Sequence, residues 1–396
     1  MAQSLKEKIL IISPIIPRPD MNSGDLRLSS LIGILAQKYE ITFLASNYKA
    51  GDDAYIALLA RSGVTVYAEQ FSLWKMLKTE KFKVAILEFY FTAAFYLDRI
   101  RLMQPECRLV VDSVDVHYLR LRQKYDLTKN EADHAIYKET KEKELNVYRK
   151  ADAVITVTKD DATALLEECS DIICEVVPNV HDICLSNTTC KSNTLIFVGG
   201  FSHDPNVDAV FYFCNEILPL IRDSKADVHF TIVGSNPPDK LRVLENEAIK
   251  VTGFVPETTP YLHQSCISVA PLRYGAGMKG KIGEAMSHGV PVVTTSVGAQ
   301  GMGLANRKNV MIADSPDGFA DAVLELFNDS QLYGTIRNNA IQIIEDNFTS
   351  KQVGQSMIDA LERICENSVK KMTVMDKITF TNEYIFKRIK TRLSPC

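Results

Sequence analysis

Short, unbroken apolar runs alternate with stretches of helical period along most of the chain. The first run, Lys8–Ser13, reads KILIIS, the pattern of a central parallel strand buried on both faces. Comparable runs follow at Glu40–Ala45, 64–68, 83–87, Arg108–Asp112 and 153–158. Between the first two, Leu28, Leu31, Ile32 and Leu35 share one face of a helix expected over residues 26–37, with Ser23-Gly24-Asp25 as turn and cap. Such alternation predicts a doubly wound parallel sheet. Residues 183–193, rich in Ser, Thr and Asn, then separate this half from a second series of strands at Thr194–Val198, 228–233 and 291–295. Helices are expected at 317–328, 331–346 and 350–367. The pattern therefore predicts an α/β protein of two Rossmann-like domains, 1–182 and 194–367, joined by the linker 183–193 and followed by a tail, 368–396.

Residues 270–295, APLRYGAGMKGKIGEAMSHGVPVVTT, condense a strand, a glycine turn, a helix and a strand into one βαβ unit. Ligands of such units bind where the strand gives way to the turn. Gly275, Gly277 and Gly280 let backbone N–H groups approach an anion, and the following helix turns its positive end toward it. Arg273, Lys279 and Lys281 add positive charge suited to a diphosphate. Glu284, one turn into the helix, is placed to accept hydrogen bonds from ribose hydroxyls. Glycine turns with solvated basic residues also occur for purely structural reasons.

Two loops in the first half carry candidate chemistry. SPIIPRPDMNSGD places Gly24 at a strand-to-helix junction, where a backbone can approach an anion or a sugar. In VVDSVDVHYLRLRQ the strand ends at Asp112, so Asp115 and His117 stand at the ligand edge of the sheet, close enough to share one hydrogen-bond network. Arg120 and Arg122 suit an acceptor phosphate, or equally an ion pair with the acidic helix that follows. The aromatic stretch EFYFTAAFY is read as core. Residues 130–150, with opposite charges three and four apart, read as a solvated helix without chemical role.

The string APLRYGAGMKGK, followed by EAM and GVPVV, resembles the donor-binding end of the retaining family 4 glycosyltransferases of GT-B fold, in the branch reading PLR-x-G-x-G-x-K-x-K. The Asp112–His117 loop resembles that family's D-x-x-D-x-H loop, and VPN at 177–179 its domain closure. The resemblance spans roughly Lys8 to Asn367. It implies a sugar transferred from a nucleotide-diphosphate donor held mainly by the second domain to an acceptor on the first, with retention of configuration. His117 is then the residue that meets the donor sugar, with Asp115 beside it, while Gly24 and Arg120 border the cleft. Gly200 lies in a phosphate loop, and Gly253 and Val255 seat the base through their backbone. Two departures matter. Phe201 and His203 replace the usual basic pair after Gly200, which shifts the diphosphate to Arg273, Lys279 and Lys281. Ala276 replaces the first glutamate of E-x7-E, leaving a backbone pocket at Ala276-Gly277-Met278 for the sugar. No D-x-D pair is present, so metal independence is implied, and no cofactor is expected beyond the nucleotide-sugar substrate.

Composition narrows the rest. The 396 residues carry a net charge of −4, which gives no global attraction for nucleic acid. Nine cysteines without C-x-x-C or Cys/His ligand spacing suggest reduced thiols in a cytoplasmic protein. The N-terminus has charges where a signal peptide needs an apolar core, and no stretch reaches membrane-spanning length. In the tail, seven Lys or Arg face only Asp376 and Glu383, interleaved with apolar residues, so peripheral contact with a membrane bearing a lipid-linked acceptor is one reading and a packed extension the other. A glycosyltransferase of surface-polysaccharide synthesis is the leading expectation. An epimerase of GT-B architecture and a non-catalytic sugar-nucleotide-binding partner are the alternatives.

Overall fold

The apolar runs become the strands of two wholly parallel sheets in the computed structural model, which describes residues 6–47, 49, 51–67, 72–186, 193–374 and 377–378. The first sheet contains β1 (Lys8–Ser13), β2 (Glu40–Ala45), β3 (Thr65–Tyr67), β4 (Val84–Glu88), β5 (Arg108–Asp112), β6 (Ala153–Thr156) and β7 (Cys174–Val176), in the order β3-β2-β1-β4-β5-β6-β7. The second contains β8 (Thr194–Val198), β9 (His229–Val233), β10 (Ile249–Gly253), β11 (Ile267–Ala270), β12 (Val292–Thr294) and β13 (Met311–Ile312), in the order β10-β9-β8-β11-β12-β13. Both orders reverse direction, at β1/β4 and at β8/β11. Crevices outside the carboxyl ends of such strands are where open α/β sheets take ligands.

Helices cover both faces of each sheet, which is why the strands read as continuous apolar runs. Leu10, Ile12, Leu87 and Val111 pack toward one face of the first sheet, and Ile9, Ile11, Ile86 and Val110 toward the other. The last long helix, Ser350–Glu366, belongs to this first core. Its Val353, Met357, Ala360, Leu361 and Ile364 pack with Leu28, Leu31, Ile32 and Leu35. Ion pairs of Lys38 with Glu362 and of Arg363 with Glu175 fasten the same contact.

Several local expectations need correction. The first helix begins at Ser23 rather than at 26, because Asn22 is its cap and accepts the N–H of Asp25 at 2.9 Å. The aromatic stretch after β4 is not all core: Tyr96 is buried, whereas Phe91 and Phe95 are exposed. The charged helix Glu131–Lys150 is not solvated throughout, since Glu144, Leu145, Val147 and Tyr148 are buried. Of the tail, Lys370 is tied to the first domain through Asp152 and the carbonyl of Arg149. Most of the basic tail and residues 187–192 of the linker lie outside the described residues.

One side chain joins three segments of the first domain. Arg27, on the helix Ser23–Lys38, is 1% exposed and forms an ion pair with Asp112 at 2.6 Å. It also donates to the carbonyls of Val177 and Pro178, where the chain leaves the first sheet. Removing one partner of a buried pair leaves the other charge uncompensated, at a cost of about 3–5 kcal/mol. Arg27→Ala is therefore expected to lose about that much stability in denaturant unfolding followed by a probe in the first domain. A loss below about 1 kcal/mol would show that the contact is peripheral to stability.

Candidate active site

The carboxyl end of β5 leads into a turn that the residues after it hold rigid. Val114 has φ +53°, an uncommon conformation for a β-branched residue. The helix His117–Thr128 that follows takes its N-terminal cap from another segment. Buried Glu144 accepts the backbone N–H of His117 at 3.1 Å, that of Tyr118 at 2.9 Å and the Tyr148 hydroxyl at 2.6 Å. A carboxylate suits this position because the first N–H groups of a helix lack internal partners and carry partial positive charge.

His117 is thereby fixed in both place and charge. Its Nδ1 lies 2.9 Å from the Asp115 carbonyl and 3.7 Å from Glu144 Oε1. A carbonyl only accepts, so Nδ1 carries a hydrogen. Burial alone would lower the imidazole pKa, but Glu144 and Asp115 outweigh it and hold the group above its ordinary value. The ring stands edge-on to Tyr90, Phe89 and Phe91, with centroids at 5.3, 5.9 and 6.2 Å. Phe91, expected in the core but exposed, thus helps to wall the histidine. Asp115 is held below the usual carboxylate range: burial pushes it up, but the charges of Arg120 and His117 win. Arg120 donates from Nε to Asp115 at 2.8 Å, so it pairs with this loop rather than with the acidic helix. The second oxygen of Asp115 is buried without a partner.

The glycine turn of the second domain closes directly over this loop. Gly275 donates its N–H to Gln123 of the helix His117–Thr128 at 2.9 Å. Gly277 has φ +67°, and a Cβ there would sit 3.3 Å from the Val114 carbonyl. At Gly280 a Cβ would fall 2.3 Å from Ser23 Oγ, beside Gly24, so only glycine lets the two helix N-termini meet. Met278 accepts the Asn179 N–H through sulfur at 3.4 Å. Ala276 is half-buried between these contacts.

Two lysines give the turn its charge. Lys279, 6% exposed, donates to the carbonyls of Gly275 and Gly277 at 3.2 and 2.9 Å. Burial pushes its pKa down to about 8. Lys281, one residue into the helix Gly280–Ser287, is likewise pushed down to about 8 by burial and by Lys279. Its ammonium lies 5.5 Å from the Phe197 ring centre. Neither lysine forms an ion pair among the described residues. Glu284 accepts a hydrogen bond from the Thr258 hydroxyl, and burial raises its pKa despite that bond.

The remaining expected residues are less closely drawn together. Arg273 is exposed and forks onto Asp208, with Nε at 2.9 Å, while lying 4.9 Å from the Tyr212 ring centre. Its donors are thus engaged on the outer side of the turn. Gly200 holds the Asn206 amide through its carbonyl at 2.7 Å, leaving Asn206 Oδ1 buried and unpartnered. Gly253 ends β10 with φ +71°. Val255 beyond it lines a cavity of about 700 Å³ together with Thr252, Phe254 and Tyr261.

Three residues escaped the reading of the sequence. Glu144 was hidden in a run of charges, and Gln123 carries no motif. Glu88 left a readable trace, a carboxylate ending an apolar run. It accepts the Ser13 hydroxyl at 2.5 Å at the β1/β4 reversal, and burial pushes its pKa up to about 8.

Comparison with known proteins bears on this geometry. Residues 192–329 match the family model described as Glycosyl transferases group 1. An uncharacterized 44.6 kDa protein of the Klebsiella pneumoniae cps region is 24% identical over 190 residues, 46% of this chain and 49% of that protein. The match thus spans about half the length of that curated relative. Sucrose-phosphate synthase from Thermosynechococcus elongatus superposes with a TM-score of 0.69 at 13% identity, over 91% of this chain and 99% of its own. HepE of Anabaena, solved with UDP-glucose, gives 0.69 at 14% identity, over 90% and 99%. TarM of S. aureus, in a complex containing UDP, gives 0.66 at 11% identity, over 89% and 99%. These superpositions establish the fold, two Rossmann-like domains arranged as in GT-B glycosyltransferases.

The raised His117 has a consequence that pH reveals. A histidine protonated more readily when folded adds stability that is fully present below about pH 6.5 and is lost as pH rises through the raised value. In an NMR titration, His117 is expected to titrate above the ordinary histidine value, and in Glu144→Gln below the wild-type position, because burial remains while the anion is gone. Equal values in both proteins would contradict the role given to Glu144.

Proposed function

We propose that the chain transfers a sugar from a UDP-sugar to a glycan or lipid-linked acceptor in bacterial surface-polysaccharide synthesis. The observation that carries this reading is the pair of lysines at the glycine turn, Lys279 buried near Asp115 and Lys281 half-buried over Phe197, with no ion-pair partner among the described residues and with pKa values pushed to about 8. A diphosphate supplies the negative charge that such a pair lacks, and the helix N-terminus adds to the attraction. UDP rather than another nucleotide is favoured by HepE and TarM, whose structures contain it. The polysaccharide role draws on the relative from a cps region.

In this scheme the bond from the sugar C1 to the diphosphate oxygen breaks as the acceptor hydroxyl oxygen bonds to C1, and the hydroxyl proton passes to the departing diphosphate. Charge develops on the departing diphosphate, where Lys279, Lys281 and the N–H groups of the turn stabilise it. His117 and Asp115 meet the sugar from the first domain, and Glu284 meets the ribose. Arg273 joins the diphosphate only by exchanging Asp208 for it. Retention of configuration rests on the family 4 resemblance, and lysine ammonium groups take the counter-charge role that a divalent metal fills elsewhere. The tail, if it rests on an anionic membrane, brings the enzyme to a lipid-linked acceptor.

An epimerase is the second reading, and one observation speaks to it. Glu88 and Asp112 lie side by side across β4 and β5, as proton-handling carboxyl groups would. Both are engaged, with Ser13 and Arg27, which leaves transfer as the first reading.

Calorimetry with UDP, together with product analysis on a panel of UDP-sugars, tests the proposal. Lys279→Gln is expected to weaken UDP binding by about tenfold or more, the worth of a charge-assisted hydrogen bond. Affinity should fall as pH rises through about 8, because bound diphosphate requires both lysines protonated. His117→Ala should lower turnover by about a hundredfold with UDP affinity unchanged, since it acts on the reacting sugar. UDP binding that ignores both Lys279 and pH, or a sugar isomerised without transfer, would overturn it.

A further inference from the structure

Behind the cleft, three residues from separate parts of the chain meet at the opposite end of the helix Gly280–Ser287. Cys184 lies on the crossover from the first sheet to the second, His263 on the helix Thr259–Gln264, and His288 caps the helix Gly280–Ser287. One ligand atom from each, Cys184 Sγ and a ring nitrogen of each histidine, falls within 4.8 Å of the others. The two rings are 5.2 Å apart and inclined at 54°.

Hydrogen bonds orient both imidazoles. His288 Nδ1 is 2.8 Å from the Glu284 carbonyl, so it carries the hydrogen and Nε2 keeps its lone pair, within 3.3 Å of the Thr259 hydroxyl. His263 Nε2 is 2.9 Å from the Cys184 carbonyl, which leaves the lone pair on Nδ1. Metal-bound histidines characteristically donate their other N–H to a carbonyl or carboxylate, which fixes tautomer and direction. Cys184 is exposed, while its own N–H is anchored to the Ser287 carbonyl at 3.0 Å. A cation here also lies at the negative end of a helix.

We propose that Cys184, His263 and His288 bind a zinc-class divalent ion that staples the interdomain crossover to the helix carrying Lys281 and Glu284. One thiolate and two imidazoles form a borderline-soft set, and the exposed side leaves a fourth position for water. Tetrahedral zinc wants these atoms about 3.3–3.6 Å apart, so closure needs about 1 Å of side-chain movement. The site is separate from the diphosphate turn and stands or falls independently of the transfer reaction.

The test uses cobalt(II), whose visible spectrum and thiolate charge-transfer absorption report the ligands, added to reduced, metal-stripped full-length protein. Wild type is expected to take up one equivalent per chain with a thiolate band, and zinc should displace it. Cys184→Ser, at an exposed position, should abolish the band, which separates this thiol from the other cysteines. His288→Gln should weaken cobalt binding by about tenfold or more. No thiolate band in wild type, or a band that persists in Cys184→Ser, would overturn the site.

Discussion

Everything at the cleft depends on where Arg27 is held. A guanidinium buried at that depth is stable only with its charge paired and its donors satisfied. Asp112 supplies the charge, and the carbonyls of Val177 and Pro178 take further donors. The ion pair therefore fixes the end of β5, the start of the first helix and the exit toward the second domain relative to one another. Glu88, beside Asp112 with its pKa raised to about 8, keeps its proton at neutral pH and does not add a second anion to the pair. From that anchor the chain runs through Val114, in an unfavourable conformation, to His117. Strain of this kind persists where surroundings over-determine the backbone, and it tends to gather at functional sites.

The two domains contribute opposite electrostatics to their meeting place. The first presents carboxylates, Asp115 and Asp161, with one histidine raised by its neighbours. The second presents two lysines lowered by burial, Lys281 also by Lys279. Lys279 lies near Asp161 and Asp115 without a hydrogen bond to either, and its ammonium leans on the carbonyls of its own turn. In the proposed reaction, a diphosphate entering between the domains would replace those weak contacts with full charge pairing. The glycines of the turn let the domains touch, since a side chain at Gly280 would collide with Ser23 and one at Gly277 would crowd the Val114 carbonyl.

Much of this was readable from residue order. Strands buried on both faces leave continuous apolar runs, and the turn 273–281 concentrates glycine and lysine in one short string. His117 was marked by its distance from the end of β5. What escaped had physical causes. Glu144 sits among charges spaced as on a solvated helix, and nothing local distinguishes the one carboxylate that turns inward to cap a distant helix. Arg27 sits at an interior-facing position where a leucine would read more naturally. Arg273 was assigned to the diphosphate from its place in the motif, but Asp208, far earlier in the chain, engages it. Cys184, His263 and His288 show no ligand spacing because three separate elements bring them together. Short β7 was not read as a strand, for want of a longer apolar run.

Hydrogen exchange of the backbone amides, with and without nucleotide, addresses the central claim most directly. If the turn and helix N-terminus hold the diphosphate, UDP should slow exchange across residues 277–283. A UDP-sugar should extend protection to the loop 114–118, since only the sugar reaches the first domain. Protection confined to other segments, or identical for UDP and every UDP-sugar bound, would contradict a donor site shared between Lys279 and His117.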